Sequence, residues 1–128
     1  YPEGAQEKKV VCGRCHHHLP RPGDVLEVSP DQAHNLISRS SLPVLIDFFS
    51  PSCRPCQMMA PILDRLAQRR AGEIMVIKVD VDKYPELAAG FGIQAVPTLI
   101  VFHRNTERGR TSGVMPETDL ALWVAKLA

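Results

Sequence analysis

One stretch limits the fold more than any other. The apolar run Val44-Leu45-Ile46-Asp47-Phe48-Phe49 passes through Ser50-Pro51-Ser52 into Cys53-Arg54-Pro55-Cys56, and Gln57-Met58-Met59-Ala60-Pro61-Ile62-Leu63 follows with helical spacing. Apolar residues at consecutive positions mark a strand buried on both faces. The Cys-x-x-Cys therefore stands where a buried strand gives way to a helix, with its first sulfur at the helix N-terminus. Unpaired backbone N–H groups and the helix dipole favour a thiolate there, and only the thiolate attacks a disulfide. The second cysteine, one turn on, is placed to close a ring with the first.

The rest of the chain reads as an α/β domain with a short appendage. From Tyr1 to about Gly23 the segment is polar and broken by Pro2, Gly4, Pro20, Pro22 and Gly23, with too few apolar residues for a core. Val25-Leu26-Glu27-Val28 is a short strand candidate. Ser29-Pro30-Asp31-Gln32 supplies a capping serine, a proline at the first helical position and a glutamine three after the cap. Ala33, Leu36 and Ile37 form the buried face of that helix. A second helix is expected from Cys53 to about Arg70, with Met59, Ile62, Leu63 and Leu66 in one stripe and Pro61 kinking it. Ile74 to Val81 is a strand, with Ile77, Val79 and Val81 alternating against Lys78, Asp80 and Asp82. A short helix at Pro85 to Ala89, a buried strand at Thr98 to Phe102, a polar turn at Arg104 to Gly109 and an edge strand at Arg110 to Val114 follow. The last helix begins near Pro116, with Leu120, Trp123, Val124 and Leu127 as its stripe. This order implies a mixed sheet with helices on both faces.

Composition excludes several partners. The 128 residues carry a net charge of only +1 without a long basic run, which points away from nucleic acid and anionic membranes. No apolar stretch approaches the ~20 residues that span a bilayer, and the first ten residues lack a signal-peptide core. The absence of an initiator methionine points to a processed or trimmed chain. The four cysteines fall in two close pairs, Cys12 with Cys15 and Cys53 with Cys56. Close pairs suggest redox or metal chemistry in a reducing compartment, the cytoplasm, over the structural disulfides of a secreted scaffold.

From Asp24 to Ala128 the chain resembles the thioredoxin family. Four signals carry the likeness in order: Asp47, six residues before the first cysteine; the Cys-x-Pro-Cys of Cys53 to Cys56; Pro61 in the next helix; and Pro97 in Ala95-Val96-Pro97-Thr98. The resemblance implies the thioredoxin fold and reduction of protein disulfides. Cys53 would attack, Cys56 would resolve the mixed disulfide, and an enzyme of the thioredoxin-reductase type would restore the dithiol. Redox chemistry then needs no cofactor beyond the cysteines. Asp47, flanked by Ile46 and Phe48, is expected to be buried with a raised pKa and to take the proton of Cys56, with Lys78 as its charge partner. Pro97 is expected to be cis, with Val96 pairing to the substrate backbone, and Arg54, Pro55 and Gly113 are expected around the same groove, beside Phe91-Gly92-Ile93.

The chain departs from the family's Trp-Cys-Gly-Pro-Cys at Ser52 and Arg54, and Phe49 stands where a second tryptophan is usual. Arg54 puts a fixed positive charge beside Cys53, which favours the reduced thiolate. An oxidant or isomerase is the redox rival to a reductase; the rival from another class is a non-catalytic binding module. Cys12-Gly13-Arg14-Cys15-His16-His17-His18 resembles half of the zinc ribbon preceding the domain in thioredoxin-2-like proteins. That ribbon uses two such pairs around tetrahedral zinc. Either the first pair was lost with a missing N-terminal stretch, or a histidine from His16 to His18 completes the site, or the Cys12/Cys15 pair is empty of structural zinc or oxidised.

Overall fold

The computed structural model describes residues 23–128. Along them run β1 (Val25–Glu27), α1 (Pro30–Arg39), β2 (Val44–Phe49), α2 (Arg54–Arg69), β3 (Met75–Asp80), α3 (Pro85–Gly90), β4 (Thr98–His103), β5 (Thr106–Ser112) and α4 (Glu117–Leu127). The strands form one sheet in the order β1-β3-β2-β4-β5. β3 is parallel to β1 and β2, whereas β4 is antiparallel to β2 and β5. The sheet is mixed, as expected.

β2 is the central strand, which explains its unbroken apolar run. Successive side chains point to opposite faces. Leu45 joins Met59, Leu63 and Leu66 of α2 and Leu120 and Val124 of α4. Val44, Ile46 and Phe48 join Ala33 and Ile37 of α1, with Leu87 of α3 packed alongside. Each such aliphatic or aromatic side chain stabilises the fold by about 1.5–3 kcal/mol on burial.

The first two helices start on the signals read from sequence. Ser29 Oγ accepts from Gln32 N at 3.3 Å and Gln32 Oε1 accepts from Ser29 N at 2.9 Å, a reciprocal box worth about 1 kcal/mol. Cys53 caps α2 from outside it, with φ −85° and ψ 118°. Pro61 lies inside α2, which continues through it to Arg69.

Two expectations need correction. The polar stretch after β4 is not a six-residue turn. The chain reverses within Arg104 (φ 54°) and Asn105 (φ 63°), the left-handed pair that a tight hairpin requires. β5 then starts at Thr106, paired with His103, and a register shift between Val101 and Phe102 brings Gly109 opposite Val101. An edge strand open to water needs no apolar residues on its outer face, so Thr106 to Arg108 looks like loop in sequence. The alternation in β3 also fails at its end. Asp80 is buried because its Oδ1 accepts from the N–H groups of Asp82 (2.8 Å) and Lys83 (3.3 Å), while Val81 is only half-buried.

α4 lies against the sheet edge beside α2. Gly109 permits the approach, since a Cβ there would stand 2.7 Å from Leu127 Cδ1. At the other end of α4, Glu117 takes Arg65 (2.8 Å) and Arg69 (3.0 Å) from the second half of α2.

Candidate active site

The two cysteines differ in access. Cys53, at the N-cap of α2, is half-exposed, whereas Cys56 is 4% exposed. Both are free thiols. Cys56 N–H donates to Cys53 Sγ at 3.2 Å, and that sulfur lies 3.7 Å from the Val96 carbonyl oxygen, to which its thiol donates. Burial pushes the Cys56 thiol up to about 12, helped by its hydrogen bond with Cys53 and by the negative charges of Cys53 and Asp47; a backbone hydrogen bond from Ser50 pulls it down. A reachable sulfur at a helix N-terminus and a hidden one a turn deeper suit attack and resolution respectively.

Asp47 projects to the face of the sheet covered by α2, two residues along β2 from Leu45, and is 2% exposed. Its Oδ1 has no hydrogen-bond partner among the described residues. Burial raises its pKa from 3.8 to about 7, against the opposing pull of the Lys78 charge. Lys78 is its neighbour in the parallel β2–β3 register, and its Nζ lies 4.9 Å from the Phe49 ring centroid. The ammonium thus rests over an aromatic face while acting on the carboxyl through space. A carboxyl titrating near neutrality, close enough to Cys56 to raise its thiol electrostatically, can take a proton from it.

The groove beside Cys53 is built from the approach to β4 and the end of β5. The Val96–Pro97 peptide is cis. Pro97 is buried and its carbonyl accepts from Gly113 N at 2.9 Å, with Gly113 at φ 93°. Thr98 Oγ1 donates to the Ala95 carbonyl at 2.6 Å and lies 3.0 Å from Ser112 Oγ. Phe91 packs on Phe48 and Phe102 with ring centroids 5.4 and 5.7 Å apart. Arg54 and Pro55 are exposed on the first turn of α2, which holds no acidic residue. Cys53, Cys56, Asp47, Lys78, Arg54, Pro55, Val96, Pro97 and Gly113 therefore gather at one end of β2 and its neighbours.

Two contacts escape a reading of the sequence. Arg110 Nη1 donates to the Phe91 carbonyl at 2.8 Å, while its Nε and Nη2 engage Glu107. Ser50 Oγ donates to Asp82 Oδ2 at 2.6 Å across 32 residues of chain. Neither pair carries a local signal.

The thioredoxin family profile matches residues 24–126. The chain is 36% identical over 122 residues to thioredoxin C-3 of Corynebacterium nephridii, covering 93% of this chain and 83% of the relative. It is 34% identical over 101 residues to thioredoxin of Haemophilus influenzae, covering 79% and 94% respectively. The chain belongs to the thioredoxin family. A thioredoxin from Halobacterium salinarum NRC-1 superposes with a TM-score of 0.76 at 29% identity, covering 86% of this chain and 96% of that one. The protein is accordingly a thiol–disulfide oxidoreductase of the protein-disulfide-reductase type, and its redox chemistry needs no cofactor. Thioredoxins in general act on disulfide-bonded proteins and are re-reduced by thioredoxin reductases.

No helix among the described residues is long and apolar enough to cross a membrane. Among those residues no group of three or more His, Cys, Asp or Glu is arranged to hold a metal. Cys12 and Cys15 lie outside the described residues.

Proposed function

We propose that Cys53 is the attacking thiol and Cys56 the resolving one. The difference in exposure between the two sulfurs carries this reading. The Cys53 thiolate attacks one sulfur of a substrate disulfide; a Cys53–substrate bond forms, and the other substrate sulfur leaves as a thiolate and takes a proton. Asp47 accepts the Cys56 proton, with Lys78 modulating its charge. The Cys56 thiolate then attacks Cys53 Sγ, the Cys53–Cys56 bond forms, and the second substrate thiolate departs. Two electrons have passed to the substrate, and a thioredoxin-reductase-type enzyme returns them. Arg54, Pro55, Val96, Pro97 and Gly113 form the substrate surface, with Val96 offering its backbone to an extended substrate segment.

Insulin disulfide reduction, driven by NADPH and a thioredoxin reductase, tests this assignment. Cys53→Ser abolishes turnover, and Cys56→Ser traps a mixed disulfide. If limiting alkylation of the reduced protein labels Cys56 before Cys53, the roles are reversed.

The subtype reading is a cytoplasmic, thioredoxin-2-like protein, with 1–23 as a partial zinc-ribbon segment ahead of a domain spanning 24–128. Its support is the Cys12/Cys15 spacing and the close pairing of the four cysteines. Cys12 and Cys15 supply two of the four ligands a structural zinc takes, so the others come from His16 to His18 or from a longer chain. Zinc content of purified protein, compared with Cys12→Ser and Cys15→Ser, tests it; equal metal in all three rejects the site.

A further inference from the structure

Ser50 follows directly on β2 and is itself buried. Three of its groups serve the site. Its carbonyl accepts from Cys53 N–H at 3.1 Å, its backbone bears on the Cys56 thiol closely enough to pull that pKa down, and its Oγ donates to Asp82 Oδ2 at 2.6 Å. Ser52 Oγ lies 3.1 Å from Ser50 Oγ. A serine has one hydroxyl proton, and a carboxylate can only accept. The proton of Ser50 is therefore committed to Asp82, and Ser52 is the donor to Ser50. Asp82 is held in turn: its N–H goes to Asp80 Oδ1 at 2.8 Å, and Val81 N–H goes to the Phe49 carbonyl at 2.9 Å. The loop before Cys53 is thus tied through one short charge-assisted hydrogen bond to the end of β3, which β2 already pairs.

We propose that Ser50 and Asp82 are positioning residues for the resolving half of the reaction, fixing the Ser50 carbonyl that holds Cys53 N–H and so the placing of Cys53 Sγ against Cys56. The inference rests on the Cys53/Cys56 assignment above and deepens it. A buried thiol is thiolate only for a small fraction of the time at neutral pH. That fraction is productive only when Cys53 Sγ is held in place for attack, and its placing depends on where Ser50, which holds Cys53 N–H, is itself held. Without the tether, Cys53 remains exposed at the end of α2 and attacks as before. The mixed disulfide then lives longer, because Cys56 is slower to reach and break the Cys53–substrate bond.

A single turnover with 5,5′-dithiobis-(2-nitrobenzoate) separates the halves, in protein whose Cys12 and Cys15 are serine. Attack by Cys53 breaks the reagent disulfide and releases one thionitrobenzoate. Attack by Cys56 closes Cys53–Cys56 and releases the second. Stopped-flow absorbance reads both phases. Ser50→Ala and Asp82→Ala should each slow the second phase by about threefold to tenfold, the scale of a small misplacement of a reacting group, and leave the first within about twofold. The double variant should be no slower than either single one. Asp82→Asn, whose amide oxygen still accepts from Ser50, should restore most of the rate. An unchanged second phase in both alanine variants overturns the proposal, as does equal slowing of both phases, which marks a general loosening. A first phase that survives Cys53→Ser overturns the Cys53/Cys56 assignment instead. Asp82 is exposed, so Asp82→Ala keeps the test decisive if Ser50→Ala fails to fold.

Discussion

Asp47→Asn should stabilise this protein, and by an amount that grows with pH. Moving the Asp47 pKa from 3.8 to about 7 is equivalent to a preference of about 4 kcal/mol for the neutral carboxyl, at about 1.4 kcal/mol per pH unit. The pull of Lys78 is already contained in that net value. Below 3.8 the carboxyl is protonated in folded and unfolded chain alike, and it contributes no penalty. Between 3.8 and about 7 the unfolded chain releases a proton that the folded one retains, so stability falls as pH rises. Above about 7 both forms are ionised, and the folded protein carries the whole penalty of a buried charge. Asparagine fills nearly the same space and stays neutral throughout. Urea unfolding of the reduced proteins, followed by circular dichroism and extrapolated linearly, should show the variant's advantage opening by up to about 4 kcal/mol from acid to about pH 9, with saturation above neutrality. The same variant should slow resolution of the mixed disulfide by about a hundredfold, the scale of losing a general base. A stability difference independent of pH would refute the argument that burial holds Asp47 neutral, and unchanged turnover around neutral pH would remove its role in proton transfer.

Arg54→Gly removes a cation from the first turn of α2, so the reduced thiolate loses a stabilising charge and the variant should be the stronger reductant. Equilibration with glutathione buffers should give a lower reduction potential; an equal or higher one contradicts the reading. Trp123 packs against the cluster containing Leu120 and Val124, and Glu117 ties the start of α4 to Arg65, about 18 Å along α2 from Cys53. Its emission should therefore change little on reduction when Cys12 and Cys15 are replaced, and a several-fold rise would place the ring beside the disulfide. Gly113→Ala meets no atom within 4 Å, but φ is 93° there, so backbone strain alone should destabilise by about 1–3 kcal/mol. Because Gly113 N–H holds the Pro97 carbonyl, KM for a protein disulfide should rise more than kcat falls.

What the sequence disclosed followed the reach of its signals. The capping box of Ser29 and Gln32, the placement of Cys53 before α2 and the burial of Asp47 all rest on neighbours within a few residues or on an unbroken apolar run. The fold order followed from the same local periods. Arg104 gave no sign of a left-handed turn, because arginine has no preference for that conformation; the geometry comes from pairing β4 with β5. In sequence Asp80 reads as a polar-face residue, since its partners, the amides of Asp82 and Lys83, are backbone groups without a sequence signature. Ser50 and Asp82 meet only because β2 and β3 lie side by side. Such cross-strand contacts become visible once register is known, and a single sequence does not carry register.

The adjacent residues Asp47 and Phe48 belong to opposite sides of β2, and this divides responsibility for the reaction. Asp47 lies beneath α2 with the cysteines, whereas Phe48 meets Phe91, whose loop leads on to Val96 and Pro97. On the proposed assignment, electron chemistry, with Arg54 and Pro55 on α2, hangs from one core and the Val96–Pro97 part of the substrate surface from the other; they join where Cys53 Sγ reaches the Val96 carbonyl at 3.7 Å. A chain built this way can change the Val96–Pro97 side of its substrate surface without retuning its potential. Substitutions around Phe91 and Arg110 would alter which disulfides dock, and substitutions around Asp47 and Ser50 would alter how fast and how completely they are reduced. Two properties that are to vary separately need separate supports, and a strand buried on both faces provides them from consecutive residues.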